Sequence, residues 1–201
     1  MLDATARKLI DPPLNRLGHA LARRGVTANA VTLGGLALGL AAAVMVALGA
    51  PGLALVPLLL SRLADGLDGA VARATTRTDF GGYLDIVADF LFYGAVPFAF
   101  AVLDPAANAL PAAFLLLCFY VNGTSFLGFA TLAAKRGLET TAQGQKSLYY
   151  SAGLLEGTET ILFFIALCLL PGWFAPLAWG FGALTLFTAL ARVLNARHIF
   201  H

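Results

Sequence analysis

The sequence predicts an all-α polytopic membrane protein, in which six transmembrane helices follow an N-terminal amphipathic interfacial helix. Of the 201 residues, 59% are hydrophobic and only 12% are charged, whereas a soluble domain has roughly 25% charged residues. The mean hydropathy of +0.81 agrees with this class. A chain with so little charge cannot cover a core with a polar surface. The composition therefore argues against a soluble domain, a disordered chain and a nucleic-acid-binding protein.

Residues 1–28 are predicted to form a separate element that lies on the cytoplasmic membrane surface, ahead of a membrane domain at 29–201. Within it the pair Pro12–Pro13 suits a helix start. The apolar residues that recur at helical spacing are Ile10, Leu14, Leu17 and Leu21, and the basic ones are Arg16, Arg23 and Arg24. The alternative is a solvated N-terminal arm.

Six apolar runs have the length of about 20 residues that a membrane helix needs. They are 29–50, 51–72, 80–102, 107–134, 150–170 and 173–194. The runs are continuous and rich in Ala, Leu and Gly, which argues against strands.

The basic residues predict the orientation of these spans. Lys and Arg lie before the first span, in alternate connections and after the last span, while the opposite connections contain neither. By the positive-inside rule, both termini and the basic connections are cytoplasmic. We expect an integral protein of a prokaryotic inner (cytoplasmic) membrane. Apart from Arg192, close to the cytoplasmic end of the last span, Arg62 is the one basic residue that falls inside a span.

Four carboxylates lie inside the second and third spans, where ionised groups are costly and usually mark function. Asp65 and Asp68 are spaced i,i+3, and Asp85 and Asp89 are spaced i,i+4, so each pair shares a helix face. In antiparallel helices Asp68 and Asp85 would lie at one depth, about 8 Å from the cytoplasmic connection, and Asp65 and Asp89 at another, about 12–14 Å. Such a group needs counter-charge, and all-oxygen ligation favours Mg²⁺ or Mn²⁺, with Ca²⁺ as an alternative. The other interpretation is a polar interhelical network without a ligand.

The residues around these carboxylates favour a phosphate-bearing ligand. Arg73 follows Asp68 by about one turn on the cytoplasmic side, and an arginine beside a metal–carboxylate site suits phosphate binding. Several neighbours are glycines, which let a ligand approach closely. The site is therefore predicted to bind a phosphorylated substrate that enters from the cytoplasm.

The stretch from Asp65 to Asp89 resembles the motif of the CDP-alcohol phosphotransferase (CDP-alcohol phosphatidyltransferase) family, DxxDGxxAR followed by GxxxDxxxD. All eight fixed positions are present. The resemblance implies an enzyme of phospholipid synthesis that transfers a phosphatidyl group from CDP-diacylglycerol to an alcohol and releases CMP. It also implies dependence on two divalent ions, Mg²⁺ or Mn²⁺, and a homodimer.

The resemblance also implies roles for individual residues. Asp65, Asp68 and Asp85 would hold the metal ions, and Asp89 would be the general base and also touch metal. The CDP moiety would contact Asn29, Thr32, Gly69, Ala72, Arg73 and Gly81. For Asn29 the alternative is a helix N-cap.

The acceptor site is the least defined part of the prediction. Lys146 and Arg192 could hold a phosphate, which keeps glycerol phosphate open. The middle of the fourth span lacks a basic residue, which counts against inositol phosphate. The segment from Phe80 to Pro97 faintly resembles serine-accepting enzymes, which also carry Gly-x-x-Pro after the last aspartate. Glu156 and Glu159 could select an acceptor through its hydroxyl or amino groups. Alternatively, they form interhelical hydrogen bonds with Asn122, Thr124 or Ser125.

A cation- or proton-coupled transporter is the competing class, because intramembrane acids are common there too. Against a transporter, the acids lie toward one face with Arg73 beside them, and no inverted repeat is visible in the sequence.

Overall fold

The computed structural model describes residues 3–137 and 157–200, and within these ranges the chain is helical without a β-strand. Its seven α-helices are α1 Asp3–Arg23, α2 Ala28–Ala47, α3 Pro51–Ala74, α4 Asp79–Leu103, α5 Pro105–Lys135, α6 Gly157–Leu169 and α7 Phe174–Phe200. A single 3₁₀ turn, Pro171–Trp173, leads into α7. The predicted all-α class is confirmed for this part of the chain.

Four of these segments are long and apolar enough to cross a bilayer: Ala28–Ala47, Asp79–Leu103, Pro105–Lys135 and Pro171–Phe200. Helix α3 has the length, at 24 residues, but it carries four charged side chains. Helix α6 has 13 described residues, and most of the chain before it in the predicted fifth span lies outside the described ranges. The plan of six membrane helices therefore stays a prediction.

Helix α1 runs through Pro12–Pro13, so the prediction that a helix starts there is wrong. The residues after the prolines pack on α3. A side chain at Gly66 would meet Leu14, which is buried, and a Cβ at Gly18 would lie 2.7 Å from Cβ of Ala70. This packing stabilises a helix that loses backbone hydrogen bonds at its prolines. The interfacial location of α1 remains a prediction.

Threonine side chains cap the two helices that follow loops at the same end of the molecule as the carboxylates. The Oγ1 atom of Thr27 accepts from the backbone N–H of Ala30 at 3.2 Å, and Thr78 does the same for Gly81 at 3.0 Å. These are standard N-cap contacts. The N-cap of α2 is therefore Thr27, and the alternative that Asn29 is the cap is wrong.

The core lies where α2 packs against both α3 and α4. Gly39 of α2 makes this close approach possible, because an added Cβ would lie 2.6 Å from the Phe92 ring and 2.9 Å from Oγ of Ser61. Phe92 is fully buried and meets Phe164 of α6 edge-on, at 5.7 Å between ring centroids. Aromatic packing thus fixes the helices directly beside the carboxylates.

We expect Gly39→Leu to destabilise the protein by about 1–3 kcal/mol, because the new side chain overpacks against a buried ring. The measurement is thermal unfolding of the purified protein in detergent. Gly180→Leu is the matched control, since a Cβ there meets nothing within 4 Å. Equal unfolding midpoints for the two variants would contradict the packing described here.

Candidate active site

Three carboxylates from two successive helices meet in space. Asp65 of α3 and Asp85 and Asp89 of α4 each offer one oxygen, and these oxygens all lie within 4.8 Å of one another. We call these three residues the carboxylate cluster. The i,i+4 spacing on α4 places Asp85 and Asp89 on one face, and α2 packs against both helices.

Asp68, the fourth aspartate of the motif, has a different partner. It is buried, at 4% exposed, and its Oδ2 accepts a hydrogen bond of 2.6 Å from Oγ1 of Thr32. The same hydroxyl lies 3.1 Å from the backbone carbonyl of Ala28. Thr32 therefore fixes Asp68 between α2 and α3, one turn from the carboxylate cluster. Sequence reasoning placed Thr32 beside a nucleotide and did not foresee this pairing.

Arg62 joins the two helices at the carboxylate cluster. Its Nη1 donates to Oδ1 of Asp89 at 2.9 Å and lies 3.6 Å from Oδ1 of Asp65. Its guanidinium lies 3.9 Å from the ring centroid of Phe92. The sequence shows Arg62 only as a basic residue in the interior of a span. Its i,i+3 spacing to Asp65 is the signal that could have placed it on the same face.

A small pocket opens at this point, with an empty volume of about 210 Å³ that includes space open to solvent. It lies between α2, α3 and α4. Its polar lining includes Thr32, Ser61, Arg62, Asp65, Asp68 and Asp89. The pocket therefore lies between Asp68, which is bonded to Thr32, and two members of the carboxylate cluster, Asp65 and Asp89.

The residues predicted to bind CDP lie at the starts of α2 and α4 and toward the end of α3. Oδ1 of Asn29 would lie 3.2 Å from a Cβ added to Gly81, so the two residues are neighbours. Nη1 of Arg73 would lie 3.3 Å from a Cβ added to Gly69. Arg73 is exposed, and its Nη2 donates to Oδ1 of Asn15 in α1 at 2.8 Å. The remaining one, Ala72, is half-buried on α3.

The predicted acceptor residues are only partly described. Lys146 and Glu156 lie outside the described residues, and Glu159 lies in the first turn of α6. Arg192 of α7 binds α5: its Nη1 donates to the carbonyl and Oδ1 of Asn122, at 3.1 and 2.9 Å, and to Oγ of Ser125 at 2.7 Å. Two of the polar residues considered as partners for the glutamates are thus partners of an arginine.

The carboxylate cluster fits a divalent metal ion by its chemistry. Its donors are all carboxylate oxygens, which suit Mg²⁺ or Mn²⁺ rather than a soft metal. Three separate side chains converge within 4.8 Å. Asp65, Asp85 and Asp89 are therefore the residues that could hold such an ion.

Fold and site define an apolar helical protein with a polar, carboxylate-lined pocket among its helices. Residues 25–191 match the sequence profile of the CDP-alcohol phosphatidyltransferase family. The match covers most of the chain, so the protein belongs to this family. The resemblance read from the aspartate motif is confirmed.

Two curated relatives show how far the similarity extends. The chain is 49% identical over 193 residues to the Escherichia coli K12 inner membrane protein YnjF, covering 96% of this chain and 94% of that protein. It is 37% identical over 97 residues to the archaetidylinositol phosphate synthase of Pyrococcus horikoshii, covering 48% of this chain and 52% of that protein. The second similarity therefore spans about half of each chain.

A solved structure supports the fold. The crystal structure of Mycobacterium tuberculosis phosphatidylinositol phosphate synthase (PgsA1) with CDP-DAG bound superposes with a TM-score of 0.62. The similarity covers 92% of this chain and 90% of that chain, at 21% identity. At this identity the likeness establishes a shared fold.

We expect Thr32→Val to lower the free energy of unfolding by about 1.5–3 kcal/mol, because a buried carboxylate loses its hydrogen-bond donor. Thermal unfolding in detergent measures the loss. Thr188→Val is the control. Thr188 is also buried, and more deeply than Thr32, but it donates to a backbone carbonyl, that of Leu184, so the loss of stability should be smaller. Similar losses in both variants would speak against a special role for the bond from Thr32 to Asp68.

Proposed function

We propose that this protein is a membrane-bound phospholipid-synthesis enzyme that transfers a phosphatidyl group from CDP-diacylglycerol to an alcohol and releases CMP. Membership of the CDP-alcohol phosphatidyltransferase family supports the reaction class. The observation that carries the proposal is the convergence of Asp65, Asp85 and Asp89 beside the pocket. The M. tuberculosis synthase of the same fold has CDP-DAG bound in its crystal structure, which supports the choice of donor lipid.

In this proposal the CDP moiety binds at the starts of α2 and α4 and the end of α3. Asn29 and Gly81 are neighbours there, and Arg73 extends over Gly69. The guanidinium of Arg73 would bind the pyrophosphate, because a planar fork of donors matches phosphate oxygens. Thr32 and Ala72 complete the predicted contacts, Thr32 through its hold on Asp68. The acyl chains would stay in the bilayer.

The proposed metal residues are the motif's aspartates, Asp65, Asp68 and Asp85, with Asp89 touching the same centre. A divalent ion bound there would neutralise charge on the pyrophosphate oxygens and on the leaving CMP. The proposed cofactor is Mg²⁺ or Mn²⁺, with two ions per site.

Asp89 is the proposed general base. The acceptor oxygen forms a bond to the β-phosphorus of CDP-diacylglycerol while the bond from that phosphorus to the CMP oxygen breaks. The hydroxyl proton passes to the Asp89 carboxylate, because an alcohol is a poor nucleophile until it is deprotonated. Oδ1 of Asp89 accepts from Arg62, and this contact orients the carboxylate for its task.

The remaining architecture is also part of the proposal. Six membrane helices, including α3 and α6, would follow an interfacial α1, with both termini and the site on the cytoplasmic side. The name of the E. coli relative supports an inner-membrane location. The proposed functional unit is a homodimer, as the family resemblance implies.

The acceptor alcohol is the part of the substrate specificity that the proposal leaves to experiment. Arg192, held by Asn122 and Ser125, could pair with an acceptor phosphate, while Glu159 could pair with an amino group. The two relatives named as inositol phosphate-type synthases support a phosphorylated acceptor. Purified protein with Mn²⁺, CDP-diacylglycerol and a panel of glycerol phosphate, serine, inositol phosphate, choline and ethanolamine identifies the acceptor by lipid mass spectrometry.

A transporter was the competing class. Family membership favours the enzyme, and so does the position of the carboxylates, which meet one another across α3 and α4 at a single pocket. Metal-dependent CMP release by the purified protein separates the two, since transport leaves CDP-diacylglycerol intact.

We expect Asp89→Asn to lower kcat for CMP release by about 10²–10⁴-fold, the usual contribution of a general base. The variant should still fold and bind CDP-diacylglycerol, although its unfolding midpoint should fall because buried Arg62 loses an ionised partner. The control is Asp104→Asn, which changes the carboxylate that caps α5 and should leave turnover unchanged. Wild-type rates in Asp89→Asn would exclude Asp89 as the base.

A further inference from the structure

Arg62 is the charged residue of the pocket lining that the family motif does not contain, and several neighbours hold it in place. Its side chain is 9% exposed. Nη1 donates to Asp89, Nη2 donates to Oγ of Ser61 at 3.2 Å, and the guanidinium lies over the Phe92 ring. Asp89 and Phe92 are i,i+3 on α4, so one face of that helix supplies both a carboxylate and a ring to the same guanidinium. Arg62 is therefore fixed in one orientation.

One hydrogen-bond donor of the Arg62 guanidinium has no partner in the part of the chain that the structure describes. Its Nε is buried and has no hydrogen-bond partner among the described residues. Leaving a charged donor unpaired in an apolar environment costs free energy. A hydrophobic side chain would join α3 and α4 at lower cost. The position of this cation between Asp65 and Asp89 therefore calls for a role at the carboxylates themselves.

Arg62 lies at the same carboxylate oxygens that could hold a metal ion. Nη1 is 2.9 Å from Oδ1 of Asp89 and 3.6 Å from Oδ1 of Asp65, and both residues belong to the carboxylate cluster. A divalent ion bound by these side chains would be repelled by the guanidinium and would share its ligands. The same cation thus pairs with the carboxylates and opposes a second cation there.

We propose that Arg62 is a built-in counter-charge that positions Asp89 for proton transfer and weakens the hold of the carboxylate cluster on divalent metal. Arg62 acts through Asp89 and is a positioning residue. The part of this inference that concerns turnover rests on the proposed phosphatidyl transfer, whereas the part that concerns metal affinity does not.

The positioning role depends on the shape of the guanidinium as well as on its charge. A planar fork can donate to Asp89 and Ser61 at once while it stacks on Phe92, and the ammonium group of lysine is a point charge that cannot. A substitution that removes the positive charge and one that keeps the charge but removes the planar guanidinium should therefore affect metal binding and turnover differently.

The experiment compares wild type, Arg62→Gln and Arg62→Lys, purified in the same detergent. Binding of Mn²⁺ without substrate is followed by electron paramagnetic resonance of the free ion, and kcat for CMP release is measured with saturating Mn²⁺. Arg24→Gln removes an equal charge from an exposed residue just after α1 and controls for the general effect of charge on metal binding.

For Arg62→Gln we expect Mn²⁺ to bind about tenfold more tightly, because a repelling charge at the carboxylates is lost. Its kcat should fall at least about tenfold, because Asp89 loses the contact that orients it. For Arg62→Lys, Mn²⁺ affinity should stay within about twofold of wild type, whereas kcat should still fall. Arg24→Gln should match wild type in both.

A purely structural arginine would give another pattern, in which its loss weakens metal binding and turnover together. Mn²⁺ affinity in Arg62→Gln that equals or falls below wild type overturns the inference. If that variant does not fold, Arg62→Lys decides: wild-type kcat there overturns the positioning role. If wild type releases no CMP, the proposed function fails, and the Mn²⁺ measurement still tests the counter-charge.

Discussion

Ionised side chains within an apolar helix bundle need partners, because leaving a charge unpaired away from water costs several kcal/mol. The structure meets this constraint in two ways. Asp68 accepts a hydrogen bond from the hydroxyl of Thr32 in α2. Asp89 accepts one from the guanidinium of Arg62 in α3. Both solutions join different helices, so the arrangement of α2, α3 and α4 depends on the charges as much as on apolar packing.

The close approach of these helices follows from the same constraint. A hydroxyl on α2 can reach a carboxylate on α3 only if the two backbones lie near each other. Gly35 and Gly39 of α2 provide this, since a Cβ on either would lie within 3 Å of an atom of α3 or α4. The Phe92 ring then fills the space beside Gly39 and supports Arg62. Small residues, an aromatic ring and the ion pairs form one connected arrangement.

How much of this could be predicted from the sequence depends on the kind of feature. The spacing of the aspartates along each helix was sufficient to place them on common faces and to identify the family. It could not show that Asp68 would bond to Thr32 while the other three converge, because that depends on how each helix is rotated about its axis. For the same reason, the sequence could not show that Arg62 contacts Asp65 and Asp89. Local signals were also ambiguous at Pro12–Pro13, where packing on α3 overrides a typical helix start.

Helix α3 shows why hydropathy alone is a poor guide to a helix that carries part of a polar site. It has 24 residues, long enough to span a bilayer, yet its polar residues keep it out of the set of apolar spans. Those residues include Arg62, Asp65 and Asp68, which belong to the pocket. A helix that carries a site must lose apolar character on the face that bears it. Helix α3 therefore falls outside the set of apolar spans because it supplies several of the polar residues that line the pocket.

The charges near the pocket also bear on the ligand that it suits. Four aspartates and Arg62 carry a formal net charge of three negatives. With two divalent ions, as proposed, the sum becomes one positive, and Arg73 raises it to two positives. The pyrophosphate of a CDP-linked lipid carries two ionised oxygens, so its binding would leave the site neutral. Because opposite charges attract across the site, this balance favours a ligand with two negative charges. Without Arg62 the same ions would leave the site one charge short of that balance.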